Sequence, residues 1–212
     1  MKKENLITLD SEGVWINKST NTANLYNVGW VIHTHGGEIM AKRHYLIKEV
    51  FLRLPKTDYY NKKIIGYLTK IEKGEIILTS CYEVFKQLVK DIREYNIKKI
   101  LAYNARYDRN SIEYTMFHHK TPFIIKAEWW DTWEMFKSSR AQQTRYKRFC
   151  DENNHKTAKG NNKTTAEVAT KYLRNDNEFI EEHTALEDAL IEVEIYVACR
   201  KMHKKMQRLI KE

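Results

Sequence analysis

Three separated places along the chain carry acids where an apolar element has no need of them. The first is Leu9-Asp10-Ser11-Glu12-Gly13. On a strand, side chains at i and i+2 share a face, so Asp10 and Glu12 project together. Two adjacent carboxylates repel unless a cation lies between them, and oxygen-rich sites of this kind suit Mg²⁺ or Mn²⁺. The bland alternative is a strand leaving the core with its acids in water. The second place is Tyr103-Asn104-Ala105-Arg106-Tyr107-Asp108, at the C-terminal end of an apolar strand pattern and the start of a helical one. Open α/β sheets place chemistry at such strand ends, although Asp108 alone reads as readily as a helix N-cap. The third is His183-Thr184-Ala185-Leu186-Glu187-Asp188-Ala189, where the last helix begins. A five-residue step is about 140° around a helix. His183 is therefore expected on the loop or first turn, reaching over a site that Asp188 helps to line.

Taken jointly and in this order, the three segments resemble the DEDDh exonuclease family, whose motifs read DxE, NAxxD and HxAxxDA. They span nearly the whole chain, and Asp131-Thr132 matches a further Asp-Thr that often opens a helix in the family. We read Asp131 as a helix cap and not a ligand. The family's other branch has Tyr four residues before the final Asp; here that place is Thr184, with His183 one residue earlier, so the chain resembles the His branch. Gly13 stands where the family commonly has Thr or Ser, and Tyr103 where it often has His.

The resemblance implies a ribonuclease-H-like fold with the motifs meeting on one sheet edge. It implies a metal-dependent 3′–5′ exonuclease that releases nucleoside monophosphates from DNA or RNA ends. Two Mg²⁺ or Mn²⁺ ions would be held, one by Asp10, Glu12 and Asp188, the other by Asp10 and Asp108. His183 would take the proton from the attacking water; imidazole ordinarily titrates near neutrality. Gly13, Asn104 and Tyr107 would meet the terminal nucleotide. The implied partner is a single-stranded 3′ end, with a polymerase or the replication machinery as a further candidate.

The elements that must position these residues follow from periodicity. Residues 5–15, 25–35 and 38–47 read as three strands of an antiparallel meander, with Gly36-Gly37 as a hairpin turn. Residues 48–79 have no clear pattern; lysines interleave there with Tyr59, Tyr60 and Tyr67. Ser80 with Glu83, Asp131 with Glu134 and Thr164 with Glu167 each look like a capping box opening a helix. Residues 98–104 and 123–130 read as strands, 109–119 as a helix, and 184 onward as the last helix, with Leu186, Ala189, Leu190, Val193 and Val197 as its core stripe. The expectation is one α/β domain over residues 1–212, a three-layer sandwich on a mixed five-stranded sheet.

The 212 residues are 42% hydrophobic and carry a net charge of +9, a balance that allows a core and favours phosphate-bearing partners. Lys and Tyr in residues 56–73, and Arg140, Arg145, Tyr146, Lys147 and Arg148, could track a strand or could be solvated loop. The basic stretch Lys201–Lys211 reads as an exposed helix end. Cys81, Cys150 and Cys199 form no CxxC pair, which fits a reducing cytoplasm, the host's if the chain is phage-encoded. No run reaches the length of a membrane span. Two rival readings remain: an exonuclease-fold binding module without turnover, and a zinc enzyme using His33 and His35 or His118 and His119, which lack a third ligand at a suitable spacing.

Overall fold

The computed structural model describes residues 4–200 and residue 202. The Lys201–Lys211 stretch thus falls almost wholly outside the described residues. Strand β1 (Asn5–Asn17) pairs antiparallel with β2 (Thr22–His33), and β2 pairs antiparallel with β3 (Ile39–Ile47). The chain turns at Gly37, whose φ of +88° is open to glycine at little cost. β5 (Ile97–Ala102) and β6 (Glu128–Asp131) add in parallel on the other side of β1.

The mixed sheet has six strands, in the order β4-β3-β2-β1-β5-β6, and not the expected five. The extra one, β4 (Ile77–Thr79), is three residues paired in parallel with Tyr45–Ile47 at the sheet edge. Three residues are too few to show an alternation, which is why the sequence pattern is silent there. The segment expected as a strand over 123–130 contributes only its last residues, from Glu128.

Eight α-helices complete the described fold: α1 (Lys48–Phe51), α2 (Asp58–Glu72), α3 (Cys81–Glu94), α4 (Ala105–His118), α5 (Thr132–Ser138), α6 (Thr144–Glu152), α7 (Ala166–Arg174) and α8 (Ala185–Arg200). Ser80 and Asp131 cap α3 and α5 as expected, Asp131 Oδ1 accepting from the N–H groups of Trp133 and Glu134. The cap of α7 is Thr165, one residue later than expected. Thr164 is committed elsewhere, its hydroxyl accepting from Trp133 Nε1 at 2.9 Å.

Side chains alternate across β1 and β5, so the sheet has a core on each face. Ile7, Leu9, Ile100 and Ala102 face α3 and α4, while Leu6 and Leu101 face α5 to α8. α8 approaches β2 so closely that a Cβ on Gly29 would lie 2.4 Å from Leu186 N. The three cysteines are free and buried. Among the described residues no helix is long and apolar enough to cross a membrane.

Candidate active site

Leu6, Thr8 and Asp10 alternate onto the face of β1 that α8 covers, which carries Asp10 from the core to its edge. At Glu12/Gly13 the register with β2 shifts in a bulge. A Cβ on Gly13 would lie 2.7 Å from Ala23 Cβ and 3.0 Å from Asn24 O. A Thr or Ser has no room there, so glycine at this position follows from the bulge.

Asp108 arrives from the other side of the sheet. α4 begins at Ala105, four residues earlier than expected, because Asn104 makes the corner itself: its φ of 69° and ψ of 51° are left-handed, a conformation Asn tolerates. Asp108 therefore lies in the first turn and is not the N-cap, and Asn104 makes no side-chain cap bond. The Asp108 side chain is buried, and Oδ1 accepts from Ser11 Oγ at 2.7 Å. Ser11, between the two β1 acids, thus orients the second-motif acid. Asp188 sits in the first turn of α8, also buried.

These acids share one electrostatic environment. Burial and the Asp108, Glu192, Asp188 and Glu12 carboxylates push Asp10 well above the usual carboxylate range. Asp108 is raised to about 8, chiefly by burial, against the pull of the Ser11 hydrogen bond. Asp188 is also raised to about 8, by burial and by Glu181 and Glu12. The crowding leaves polar atoms unsatisfied: Asp108 Oδ2 and Asp188 Oδ1 are buried without a hydrogen-bond partner. A buried carboxylate oxygen without a donor is costly, and a divalent cation with oxygen ligands would satisfy both. The donor set therefore suits Mg²⁺ or Mn²⁺ by its chemistry, while among the described residues the group whose donor atoms all lie within 4.8 Å of one another is Glu167, Glu181 and His183, not the motif acids.

His183 lies in the loop before α8, as expected, with φ of 54° and a side chain 61% exposed. Its Nδ1 is 3.8 Å from Glu181 Oε2, and one donor atom each of Glu167, Glu181 and His183 lie within 4.8 Å of one another. Glu181 is raised by burial and interacts with Asp188, so it stands between His183 and the carboxylates. Tyr107, in the first turn of α4, packs its ring 5.1 Å from that of Trp15, which is 47% exposed. This aromatic pair flanks Asp10, Glu12 and Asp108, all of which raise the Tyr107 hydroxyl after burial itself.

Four participants escaped the sequence reading. Glu192 is buried, accepts from Tyr103 N at 3.2 Å and is raised by burial, Asp108 and Asp188. Its signal was available: an acid one turn beyond Asp188, inside the apolar stripe of α8. Glu181 and Trp15 offered no spacing to read. Lys63 donates to Glu12 Oε2 at 2.7 Å, and only the mixed Lys/Tyr composition of its segment hinted at a role. Conversely, Tyr146 cannot stack on a base: it is fully buried, its hydroxyl donating to Lys163 O. Arg140 is spent on the Ala198 carbonyl. His33 is buried, bonded to Thr8 and the Thr34 carbonyl, and lowered to about 4 by burial, the mark of a neutral core histidine.

No family model matches the chain, and no curated protein matches its sequence. Solved structures do. The nuclease domain of 3′hExo, a DEDDh family member, bound to rAMP, superposes with a TM-score of 0.65 at 10% identity, covering 99% of this chain and 98% of that one. The zinc-bound E. coli ExoI–ssDNA complex gives 0.63 at 11% identity over 94% of this chain and 41% of that one. S. pombe Pop2p, in its Mg²⁺- and Mn²⁺-bound form, gives 0.51 at 14% identity over 92% and 82%. The chain has the ribonuclease-H-like fold of the DEDDh 3′-exonucleases.

Proposed function

We propose that the chain is a divalent-metal-dependent 3′–5′ exonuclease acting on single-stranded ends. One observation carries the reading. The acids of three motifs far apart in sequence converge on one half-buried cluster, whose Asp108 Oδ2 and Asp188 Oδ1 lack any partner. A structural role would have paired those oxygens or replaced them by apolar groups.

Asp10, Glu12, Asp108 and Asp188 are the residues that would hold two Mg²⁺ or Mn²⁺ ions, which, when bound, supply an activated water and charge stabilisation on the leaving oxygen. Ser11 keeps Oδ1 of Asp108 occupied, so Oδ2 faces the site. His183 accepts the water proton at Nε2, since Nδ1 is turned toward Glu181. That step ordinarily contributes roughly 10²–10⁴-fold. The resemblance would bring Gly13 and Asn104 to the terminal nucleotide, and the Tyr107–Trp15 pair offers a ring face to a base.

The test is a 5′-labelled single-stranded DNA and a matched RNA, incubated with the full chain in Mg²⁺ or Mn²⁺. A ladder shortening from the 3′ end is expected, abolished by EDTA and by Asp108→Asn, and slowed by His183→Ala. Binding without shortening by the wild type would support the accessory-module reading instead.

A further inference from the structure

α2 lays one stripe of side chains across the candidate site. Tyr60, Lys63, Tyr67 and Lys70 recur at three- and four-residue steps and so share a face. Tyr60 packs edge-on against Tyr26 with centroids 6.1 Å apart. Lys63 Nζ donates to Glu12 Oε2 at 2.7 Å, and to the His183 carbonyl at 3.3 Å. Tyr67 OH donates at 3.2 Å to Asn27 Oδ1, an atom that also accepts the Ala185 N–H at 2.9 Å. Lys70 Nζ reaches Glu182 Oε2 and Glu187 Oε1, each at 3.1 Å. One helix thus touches the first-motif carboxylate, the loop that bears His183 and the first turn of α8.

We propose that Lys63 is a positioning residue and the resident cation of this site: it partly neutralises the carboxylate cluster through Glu12 and, with the same ammonium, holds the His183 loop against β1. The proposal deepens the exonuclease reading and rests on it. An ordinary surface ion pair, worth little and joining two side chains, does not describe the geometry. The Lys63 side chain is 16% exposed, and beyond Glu12 its ammonium reaches the Tyr26 hydroxyl at 3.4 Å and a main-chain carbonyl on a different element at 3.3 Å. Glu12 Oε2 takes two donors, Lys63 and the Tyr26 hydroxyl at 3.0 Å, which fixes the carboxylate while leaving Oε1 for other use.

Two consequences have opposite signs. Removing a unit charge that touches Glu12 and also acts on Asp188 makes the carboxylate cluster more negative, so a divalent ion must bind more tightly. Removing the bond to the His183 carbonyl frees the loop, so turnover must fall. A merely structural lysine would weaken both together.

Calorimetric titration of Mn²⁺ into the full chain, without nucleic acid, reads the first. Lys63→Met should bind Mn²⁺ on the order of tenfold more tightly than wild type, and Lys63→Arg should keep the wild-type affinity. Amide hydrogen exchange over residues 181–184 reads the second and should quicken in Lys63→Met but not in Lys63→Arg. Turnover of a single-stranded oligonucleotide should fall on the order of tenfold or more in Lys63→Met, a displacement of the proton acceptor, and recover in part in Lys63→Arg. Unchanged or weaker Mn²⁺ binding by Lys63→Met, or unchanged exchange over 181–184, would overturn the proposal. If Lys63→Met melts at lower temperature than it can be assayed, Lys63→Gln removes the same charge with a polar group of similar reach. Wild type that binds Mn²⁺ but hydrolyses nothing would remove the exonuclease reading alone, with the affinity and exchange results still deciding the role of Lys63.

Discussion

At the scale of single residues, the site is a set of carboxyl groups held where charge is unwelcome. Asp108 and Asp188 are raised to about 8 from an ordinary 3.8, burial being the first cause in both. A group whose folded value is raised stabilises the fold in its protonated form. That contribution is full below about pH 4 and is lost as pH rises through about 8. The metal-free chain should therefore lose thermal stability between about pH 4 and 8, and saturating Mg²⁺ should restore it at the alkaline end. Differential scanning calorimetry with and without Mg²⁺ checks this. A stability that holds level across that range without metal, or is unmoved by it, would mean that these oxygens are not short of a cation. The variant Asp108→Asn should flatten the same profile, because its amide keeps the shape of the site and carries no charge.

At the scale of elements, the site depends on three close approaches: the bulge at Gly13, the left-handed corner at Asn104 and the contact of α8 with β2. The last is the tightest. A Cβ on Gly29 would meet Leu186 N at 2.4 Å and Ala185 C at 2.5 Å, both backbone, so only movement of α8 could admit it. Gly29→Ala should cost about 1–3 kcal/mol, the usual range for overpacking, and lower activity as well, since α8 carries Asp188. Chemical denaturation measures the first and the oligonucleotide assay the second. Much of this arrangement was legible beforehand. The meander, the strand before Asn104 and the caps at Ser80 and Asp131 follow from periodicity and local hydrogen bonding, which adjacent residues carry. What was not legible depends on distant partners. β4 exists only because Tyr45–Ile47 offers it an edge, and α2 takes its meaning from Glu12 and the His183 loop, 51 and 120 residues away. The motif acids could be read because their spacing is local within each motif; Lys63, Glu181 and Trp15 have no such spacing.

At the scale of the whole molecule, the chain carries a net charge of +9 although its candidate site is a cluster of acids, so on the exonuclease reading attraction of a strand and chemistry on it would fall to different regions. Binding of a single-stranded oligonucleotide to the uncleaving Asp108→Asn variant should weaken steeply with salt. Three neutralised phosphates correspond to a slope of about −2 in log K against log salt concentration. Trp15→Ala should weaken the same binding by about 1–3 kcal/mol, the range for one base stacked on an aromatic ring, with the salt slope unchanged. Fluorescence anisotropy at several salt concentrations separates the two effects. An affinity indifferent to salt would contradict a phosphate-tracking surface.

The most direct measurement is a crystal structure grown with Mn²⁺ and a nucleoside 5′-monophosphate, with data collected at the manganese edge. Anomalous peaks within ligand distance of Asp10, Glu12, Asp108 and Asp188, with the phosphate between them and the Tyr107–Trp15 pair against the base, are the expected result. Manganese found at Glu167, Glu181 and His183 instead, with the four motif carboxylates empty and protonated, would contradict the assignment of the catalytic centre.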